Sequence, residues 1–228
     1  MIKLSYQIER FSPNQIIVHF IIGISIMMLY LTGIPHLYPE HLGWILKLMG
    51  LSNALFIHRL AAIGLLSSAI YYLIYSVLYW KFIDRTYFNK IVYPTSKDIV
   101  DFMNDNLTIL GMRQQRTDYD KYSWLQKGLI WSVIIIDCLI LGMSGIVLWA
   151  PWLFAPFLPV SYLLTIKLIH GSLAIVSLCV ILPHFYIVHL TAFRFPLDNA
   201  MVTGTISKEE SMQEHPYWYR ELSGEKYD

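Results

Sequence analysis

The sequence predicts an all-α integral membrane protein, a four-helix bundle that takes in the whole chain as a single domain, residues 1–228. The first observation is composition: 56% of the residues are hydrophobic and only 14% are charged, whereas soluble domains carry about 25% charged residues. The second is that four apolar runs can each cross a hydrocarbon core, which takes about 20 residues. The third is that both cysteines lie in apolar runs, which excludes a disulfide framework and a thiolate metal site.

The four predicted helices cover approximately residues 16–35, 55–80, 125–149 and 161–193. The first follows a polar tail and lacks the small-residue pattern of a cleavage site, so we expect a retained helix rather than a signal peptide. The second carries His58 and Arg59 at its entrance and is uncharged from Leu60 to Trp80. The third and fourth come from one apolar stretch, which a proline cluster at 151–159 divides because proline lacks the amide donor of a helix interior.

The distribution of Lys and Arg predicts the orientation, because these residues accumulate on the cytoplasmic side. All but three of the 17 fall in the N-terminal tail, in or beside the connection 81–124, or in the tail 194–228. The exceptions are Lys47, Arg59 and Lys167. Both termini and the connection 81–124 are therefore predicted to be cytoplasmic. The formal net charge of +1 argues neither for nor against nucleic acid, and none is expected as a partner.

Five of the eight histidines fall inside predicted helices, where ionisable groups are costly and usually functional. His170 and His184 are 14 residues apart on the fourth helix. They therefore point within roughly 40° of one another and lie about 21 Å apart along the axis. Because the fourth helix runs inward, His170 is level with His58 near the outer surface, and His184 is level with His19 near the inner surface. Two bis-imidazole metal sites are predicted.

Haem iron suits two imidazoles, because the macrocycle supplies four equatorial nitrogens and needs only an axial pair. Zinc usually takes four protein ligands or keeps an open water position. Small residues near the histidines, Gly23, Gly64 and Gly171, are expected to leave room for the flat macrocycle. Arg59 and Lys167 lie beside the outer pair, where they can neutralise haem propionates. Satisfied polar contacts between helices are the alternative for these histidines.

The remaining polar groups are expected to have structural roles. His36 and His41 are placed on the surface of the outer loop, and His215 on the surface of the cytoplasmic tail. His189 lies on a different face from the predicted ligands and is interpreted as structural. Asp137 lies near the middle of the third helix, where a carboxylate is expensive. We favour a structural hydrogen bond for it over proton transfer.

With these histidines placed, the chain resembles the cytochrome b (gamma) subunits of membrane-bound formate dehydrogenases. The wider group includes the cytochrome b subunits of nickel–iron hydrogenases and thiosulfate reductases. The resemblance covers nearly the whole chain and includes His19, His58-Arg59, His170-Gly171 and His184. Two stretches narrow it to the formate dehydrogenase branch. Residues 121–127 resemble that branch's Lys-Tyr-Asn-x-x-Gln-Lys, and residues 201–204 with 214–222 are similar to its Gly-x-Val-Ser…His-His-Pro-x-Trp-Tyr-x-Glu tail.

The resemblance implies two b-type haems, a quinone (menaquinone or ubiquinone) beside the inner haem, and a prokaryotic cytoplasmic (inner) membrane. It also implies an iron–sulfur (beta-type) subunit that delivers electrons at the outer haem, and a catalytic dehydrogenase or reductase subunit. The quinone-site candidates are Tyr122, Ser123, Gln126 and Lys127. Ser123 stands where the family has the asparagine associated with quinone binding, and serine is shorter. A bridging water, Gln126 or Lys127 can supply the hydrogen bond to the quinone carbonyl instead, or the quinone binds in a different position. Glu214 replaces the first tail histidine.

The predicted function is electron transfer, since six-coordinate haems have no open position for a substrate. We therefore expect no primary-substrate catalysis in this chain. One alternative is the cytochrome b subunit of a hydrogenase or a sulfur-compound reductase, with electrons flowing from quinol. A haem-free transporter or anchor is another, although it leaves the level-matched histidines without a reason. The connection 81–124 and the aromatic residues 217–219 are interpreted as a docking surface or as a solvated cap.

Overall fold

Four long apolar helices dominate the computed structural model, which describes residues 7–85, 93–112, 117–190 and 195–224. The helices are Pro13–Leu37, Leu51–Phe82, Trp124–Trp149 and Val160–Leu190. Each has 25 residues or more and an apolar composition, so each is able to cross a membrane. The predicted all-α membrane architecture is confirmed, and the observed helix ends lie within four residues of the predicted ones. Residues 191–193, the predicted end of the fourth helix, lie outside the described residues.

Short elements join and extend the long helices. Two histidines that were expected in a loop are helical: His36 lies in the last turn of the first long helix, and His41 lies in the helix Pro39–Met49. This helix begins because Pro39 occupies its first turn, where the missing amide hydrogen is not needed. Both histidines are exposed, as expected. The other short elements are Ser96–Ile109, Pro151–Phe154, Asn199–Thr203, Lys208–Glu214, Pro216–Ser223, and the antiparallel strands Gln7–Glu9 and Thr205–Ser207.

The chain divides into two compact units. We call Ile17–Tyr75 with Trp131–Ile187 the bundle unit, because it holds most of the four long helices. We call Met1–Ile16, Ser76–Ile130 and Val188–Asp228 the terminal unit. Six of the basic residues behind the predicted orientation lie outside the described residues: Lys3, Lys90, Arg113, Arg116, Arg194 and Lys226.

Neighbouring long helices in the bundle unit run antiparallel, because residues early in one helix contact residues late in the next. The four helices close into a ring in which each contacts the one before and the one after it. The contacts are Ser25–Gly64 and Gly33–His58 for the first pair, Arg59–Trp149 and Leu66–Gly142 for the second, Asp137–Ser177 and Ser144–His170 for the third, and Tyr30–Ser177 and Leu37–Gly171 for the fourth.

The third long helix contains a π-helical segment, Val133–Leu141, in which the Gly142 amide bonds the carbonyl of Asp137 five residues earlier. Such wide turns are rare and often lie at functional sites. Asp137 is in this segment, and its carboxyl group accepts a hydrogen bond of 2.6 Å from the Ser177 hydroxyl. The Tyr30 hydroxyl lies 2.6 Å from the same Ser177 oxygen. Asp137 therefore has the structural hydrogen bond that was expected for it, and it links three of the four helices.

The connection between the second and third long helices contains a helix of its own, Ser96–Ile109. Asp105 on this helix accepts hydrogen bonds from Thr117, Tyr119 and Trp124, at 2.5 to 2.6 Å. Burial acts to raise the pKa of Asp105, but these three hydrogen bonds outweigh it and hold the pKa below its ordinary value. The carboxylate thus ties the segment around 117–119 and the start of the third long helix to the connection.

The C-terminal tail folds onto the same connection. His215 is only 4% exposed, and its Nδ1 donates a hydrogen bond of 2.7 Å to the carbonyl of Asp120. Arg220 pairs with Asp118 at 2.6 Å, and the edge of Trp218 meets the His215 ring. The prediction that His215 lies on the surface is wrong, because the tail uses it to bond a segment about 95 residues earlier in the chain.

Candidate functional site

The structure brings the predicted outer pair, His58 and His170, together inside the bundle unit. Their ring centres are 6.4 Å apart and the ring planes are inclined by 60°. A metal–imidazole bond is about 2 Å long, so with about 1 Å from nitrogen to ring centre, two rings on one metal are centred about 6 Å apart. The observed separation therefore fits a single metal held between these two imidazoles.

A hydroxyl group from a neighbouring helix lies against the Nδ1 atom of each ring. Thr32 Oγ1 lies 2.9 Å from Nδ1 of His58, and Ser144 Oγ lies 2.9 Å from Nδ1 of His170. Each hydroxyl also donates to the backbone carbonyl four residues earlier in its own helix, at 2.6 Å and 2.7 Å respectively. The two contacts are thus alike in atoms, in distance and in their backbone partner.

A glycine follows each hydroxyl residue and lies against the same ring. A Cβ atom added to Gly33 would come within 3.0 Å of His58 Cε1, and one added to Gly145 would come within 3.4 Å of His170 Cε1. Each hydroxyl precedes its histidine by 26 residues. These four residues were not predicted as part of the site, although a hydroxyl–glycine pair 26 residues before each outer histidine is visible in the sequence.

The glycines that were expected to make room for a macrocycle behave differently from one another. An added Cβ would lie 2.8 Å from Ser25 Oγ at Gly64 and 2.6 Å from Leu37 Cδ2 at Gly171. These two glycines therefore allow close approach of the first long helix, which corrects the expectation for them. At Gly23 nothing lies within 4 Å, so space is present there as expected.

The predicted inner pair, His19 and His184, lies in the other half of the bundle unit. Both side chains are half-buried. They lie on the same side of the Tyr30–Ser177 contact, 11 and 7 residues from it along their antiparallel helices. At 1.5 Å per residue this places them about 16 Å and about 10 Å from that contact. The two imidazoles therefore lie toward the same end of the bundle, opposite to His170.

The basic residues expected to meet haem propionates lie at the end of the bundle that holds the outer pair, and both are exposed. The Arg59 guanidinium lies 5.5 Å from the centre of the Trp149 ring, a cation–π distance. Lys167 lines a groove of about 360 Å³, together with Leu37, Tyr38 and Gly171 among others. Their role toward propionates stays a prediction.

Two of the quinone-site candidates, Ser123 and Gln126, form a capping box at the start of the third long helix. The Ser123 amide donates to Gln126 Oε1 at 3.0 Å, and the Gln126 amide donates to Ser123 Oγ at 3.3 Å. This reciprocal pattern is common where serine precedes glutamine by three residues at a helix start. It gives Ser123 a structural role that does not depend on a ligand.

The other two candidates, Lys127 and Tyr122, are buried in the terminal unit. Lys127 Nζ lies 2.9 Å and 3.1 Å from the two carboxylate oxygens of Asp98. Burial acts to raise the pKa of Asp98, but hydrogen bonds from Thr95 and Lys127 outweigh it and lower the pKa. The Tyr122 ring packs against that of Phe11, with centroids 6.3 Å apart.

His189, which was interpreted as structural, is 6% exposed and lies in a π-helical turn at the end of the fourth long helix. Its Nδ1 atom accepts a hydrogen bond of 3.4 Å from the backbone amide of Asp198. The Asp198 side chain in turn caps the short helix Asn199–Thr203. These contacts suit a residue that holds the backbone after the fourth helix.

A membrane bundle with an imidazole pair at one-metal distance defines the class of membrane cytochromes b. Within the described ranges, no three His, Cys, Asp or Glu side chains cluster to hold a metal without a macrocycle. A profile of the prokaryotic cytochrome b561 family matches residues 10–204, and the chain belongs to that family. Membership implies b-type haem and, with the four helices, a multi-pass protein of the prokaryotic inner membrane.

The proteins similar to this chain include cytochrome b subunits of formate dehydrogenases. The chain is 25% identical over 216 residues to the formate dehydrogenase cytochrome b556(fdo) subunit of Escherichia coli, covering 94% of this chain and 93% of that protein. It is also 25% identical over 205 residues to the nitrate-inducible formate dehydrogenase cytochrome b556(Fdn) subunits of Escherichia coli and Shigella flexneri, at 90% and 86% coverage. The similarity therefore runs through nearly the full length of both chains.

Proposed function

We propose that the chain is the diheme cytochrome b subunit of a respiratory formate dehydrogenase, which anchors the complex and passes electrons to a quinone. The 6.4 Å separation of the His58 and His170 rings carries the proposal, because it suits axial ligation of one haem. The names and the near-complete coverage of the similar proteins support formate dehydrogenase as the complex.

Four histidines would hold the two haems: His58 with His170, and His19 with His184. Bis-imidazole haem exchanges single electrons and offers no open coordination position. His170 and His184 are 14 residues apart on one continuous helix, which spaces the two sites by about 21 Å along it. The bundle would therefore carry electrons across most of a hydrocarbon core about 30 Å thick.

The charge distribution supports the proposed orientation in the membrane. Lys and Arg concentrate in the tails and the connection 81–124, which favours a cytoplasmic position for those segments. An iron–sulfur subunit would then deliver electrons at the His58/His170 end, on the opposite side, where Arg59 and Lys167 are exposed. A quinone would receive them near the cytoplasmic side and take its protons from there.

Among the quinone-site candidates, Gln126 retains the most suitable chemistry. The capping bond of the Gln126 side chain uses only Oε1, so the side-chain NH₂ group keeps two N–H donors for a quinone carbonyl. The Ser123 hydroxyl accepts a hydrogen bond from the backbone amide of Gln126 and can also donate its own hydrogen. Lys127 would have to leave its buried ion pair with Asp98. We therefore propose Gln126 as the principal quinone contact, with Ser123 and Tyr122 beside it.

The test is a spectrum of the complex purified through a tag on this chain. We expect formate to reduce b-type haem, and extraction to yield two haems per chain. His58→Ala and His170→Ala should each remove one haem, and His19→Ala and His184→Ala should each remove the other. His41→Ala is the matched control, since His41 is exposed and belongs to neither predicted ligand pair. Absence of b-type bands, or a chain that copurifies without a formate-oxidising subunit, would refute the proposal.

A further inference from the structure

We propose that Thr32 and Ser144 are positioning residues for the His58/His170 site. Their hydroxyl groups hold both imidazoles in the tautomer that carries hydrogen on Nδ1, which leaves each Nε2 lone pair for the metal. This inference rests on the haem site proposed above, and it adds two residues that touch neither a substrate nor the metal.

The tautomer follows from counting hydrogens. A hydroxyl group has one hydrogen to donate. Thr32 Oγ1 lies 2.6 Å from the carbonyl oxygen of Met28, which can only accept, so the hydroxyl hydrogen is used there. The 2.9 Å contact between Thr32 Oγ1 and His58 Nδ1 must then be donated by the ring. Nδ1 of His58 is therefore the protonated nitrogen, and Nε2 carries the lone pair.

The same count applies at the other ring. The Ser144 hydroxyl donates to the carbonyl of Ile140 at 2.7 Å, with the carbonyl of Leu141 as a second acceptor at 3.2 Å. The remaining contact, 2.9 Å to Nδ1 of His170, is again donated by the imidazole. Nε2 of each ring is consequently the unprotonated nitrogen, the one available as a neutral ligand atom.

Back-bonding of a serine or threonine to its own helix is common and by itself indicates no function. Two features go beyond it here. The hydroxyl in each case meets a histidine of the next helix, and the following glycine lies against that same ring. The arrangement also occurs twice, in separate helical hairpins, with the same spacing of 26 residues. A matched pair of supports for two ligands of one metal accounts for both features.

The support has an electronic consequence as well as a geometric one. An imidazole that donates its second N–H is a more basic ligand, and such partners tune the metal as well as orient the ring. Each hydroxyl donates to a backbone carbonyl, and this polarisation strengthens the hydrogen bond that its oxygen accepts from the ring. The more basic ligands favour the oxidised, more positive iron, so they lower the reduction potential of the haem at this site.

The experiment is a redox titration of the intact complex, followed optically at both haems. Thr32→Val and Ser144→Ala remove the hydroxyl acceptors and leave the rings only their backbone partners, Leu29 for His58 and Leu141 for His170, whereas Thr32→Ser and Ser144→Thr keep the hydroxyls. We expect each hydroxyl-free variant to favour reduction of the His58/His170 haem by about threefold, which is ~28 mV at 59 mV per tenfold for one electron. The double variant should reach about tenfold, or ~59 mV. The potential of the other haem should not move.

A matched control is Thr165→Val, because Thr165 also donates to the carbonyl four residues earlier in its own helix, that of Ser161, and is exposed. It should leave both potentials unchanged. Loss of this haem from the hydroxyl-free variants with retention in Thr32→Ser and Ser144→Thr would support the inference. Unchanged potentials in the hydroxyl-free variants, or equal loss of haem in the hydroxyl-keeping ones, would overturn it. If His58→Ala and His170→Ala leave both haems in place, the proposed haem site itself fails.

Discussion

Gly33→Ala tests whether the His58 ring occupies a place that only a glycine permits. The new Cβ would lie 3.0 Å from His58 Cε1, whereas carbon atoms usually approach no closer than about 3.5 Å. The ring would therefore have to retreat by about 0.5 Å, which is the tolerance within which a site must hold its ligands. The first long helix holds the backbone of Gly33, so we expect the imidazole to move.

The expected result is weaker retention of one haem, by about tenfold, the lower end of the effect when a ligand loses its supporting contacts. Two other glycines make a graded series. Gly145→Ala, where the distance to His170 is 3.4 Å, should have a smaller effect. Gly23→Ala, where the added Cβ meets nothing within 4 Å and which lies near His19, should leave the His58/His170 haem unaffected.

The assay is transfer of haem from the purified complex to an excess of apomyoglobin, with the two haems distinguished by their reduced spectra. Only the His58/His170 haem should leave faster in Gly33→Ala. If Gly33→Ala releases the His58/His170 haem at the same rate as Gly23→Ala does, the close contact with the imidazole has no bearing on the site.

Variants at three further residues probe the contacts that hold the helices and the terminal unit. Asp137→Asn should keep its bond to Ser177 and normal haem content. Asp137→Leu removes one of the two partners of the Ser177 hydroxyl and leaves Tyr30, so it should lower stability by about 1 kcal/mol, read from thermal unfolding. Lys127→Met should cost only about 1 kcal/mol, because the half-buried Asp98 loses its cation but keeps its hydrogen bonds from Thr95. Folding lowers the pKa of Asp98 from 3.8, so its carboxylate stabilises the folded state above that pH. This contribution is lost as the pH falls through the pKa of Asp98 in the folded protein, and unfolding measured at low pH will show the loss. Ser123→Ala should lower stability by about 1 kcal/mol through loss of the cap, and Ser123→Asn should not.

The long helices were predictable because their signal is local: an uncharged run of sufficient length has few alternatives to a membrane helix. The relation of His170 to His184 was predictable for the same reason, since helical periodicity fixes spacing and direction on one element. Their pairing with histidines of other helices needed only the direction in which each helix runs. In the structure, the His58 and His170 rings meet as that reasoning expects.

What could not be predicted depends on contacts between distant segments. Thr32 and Ser144 look like ordinary small polar residues in apolar helices until the neighbouring helix brings a ring to each hydroxyl. Gly64 and Gly171 were assigned to a macrocycle because sequence spacing does not reveal which helix approaches them. His215 was placed on the surface because nothing near it in sequence announces the bond to Asp120.

The two hydroxyl–glycine supports also bear on how such a chain is built. Each support and its histidine lie in consecutive helices, so one hairpin carries Thr32-Gly33 with His58 and the next carries Ser144-Gly145 with His170. Each hairpin thus contains one imidazole together with the hydroxyl and the glycine that contact it. On this assignment, a haem would join two halves of the polypeptide, each of which supplies one ligand and the contacts that orient it.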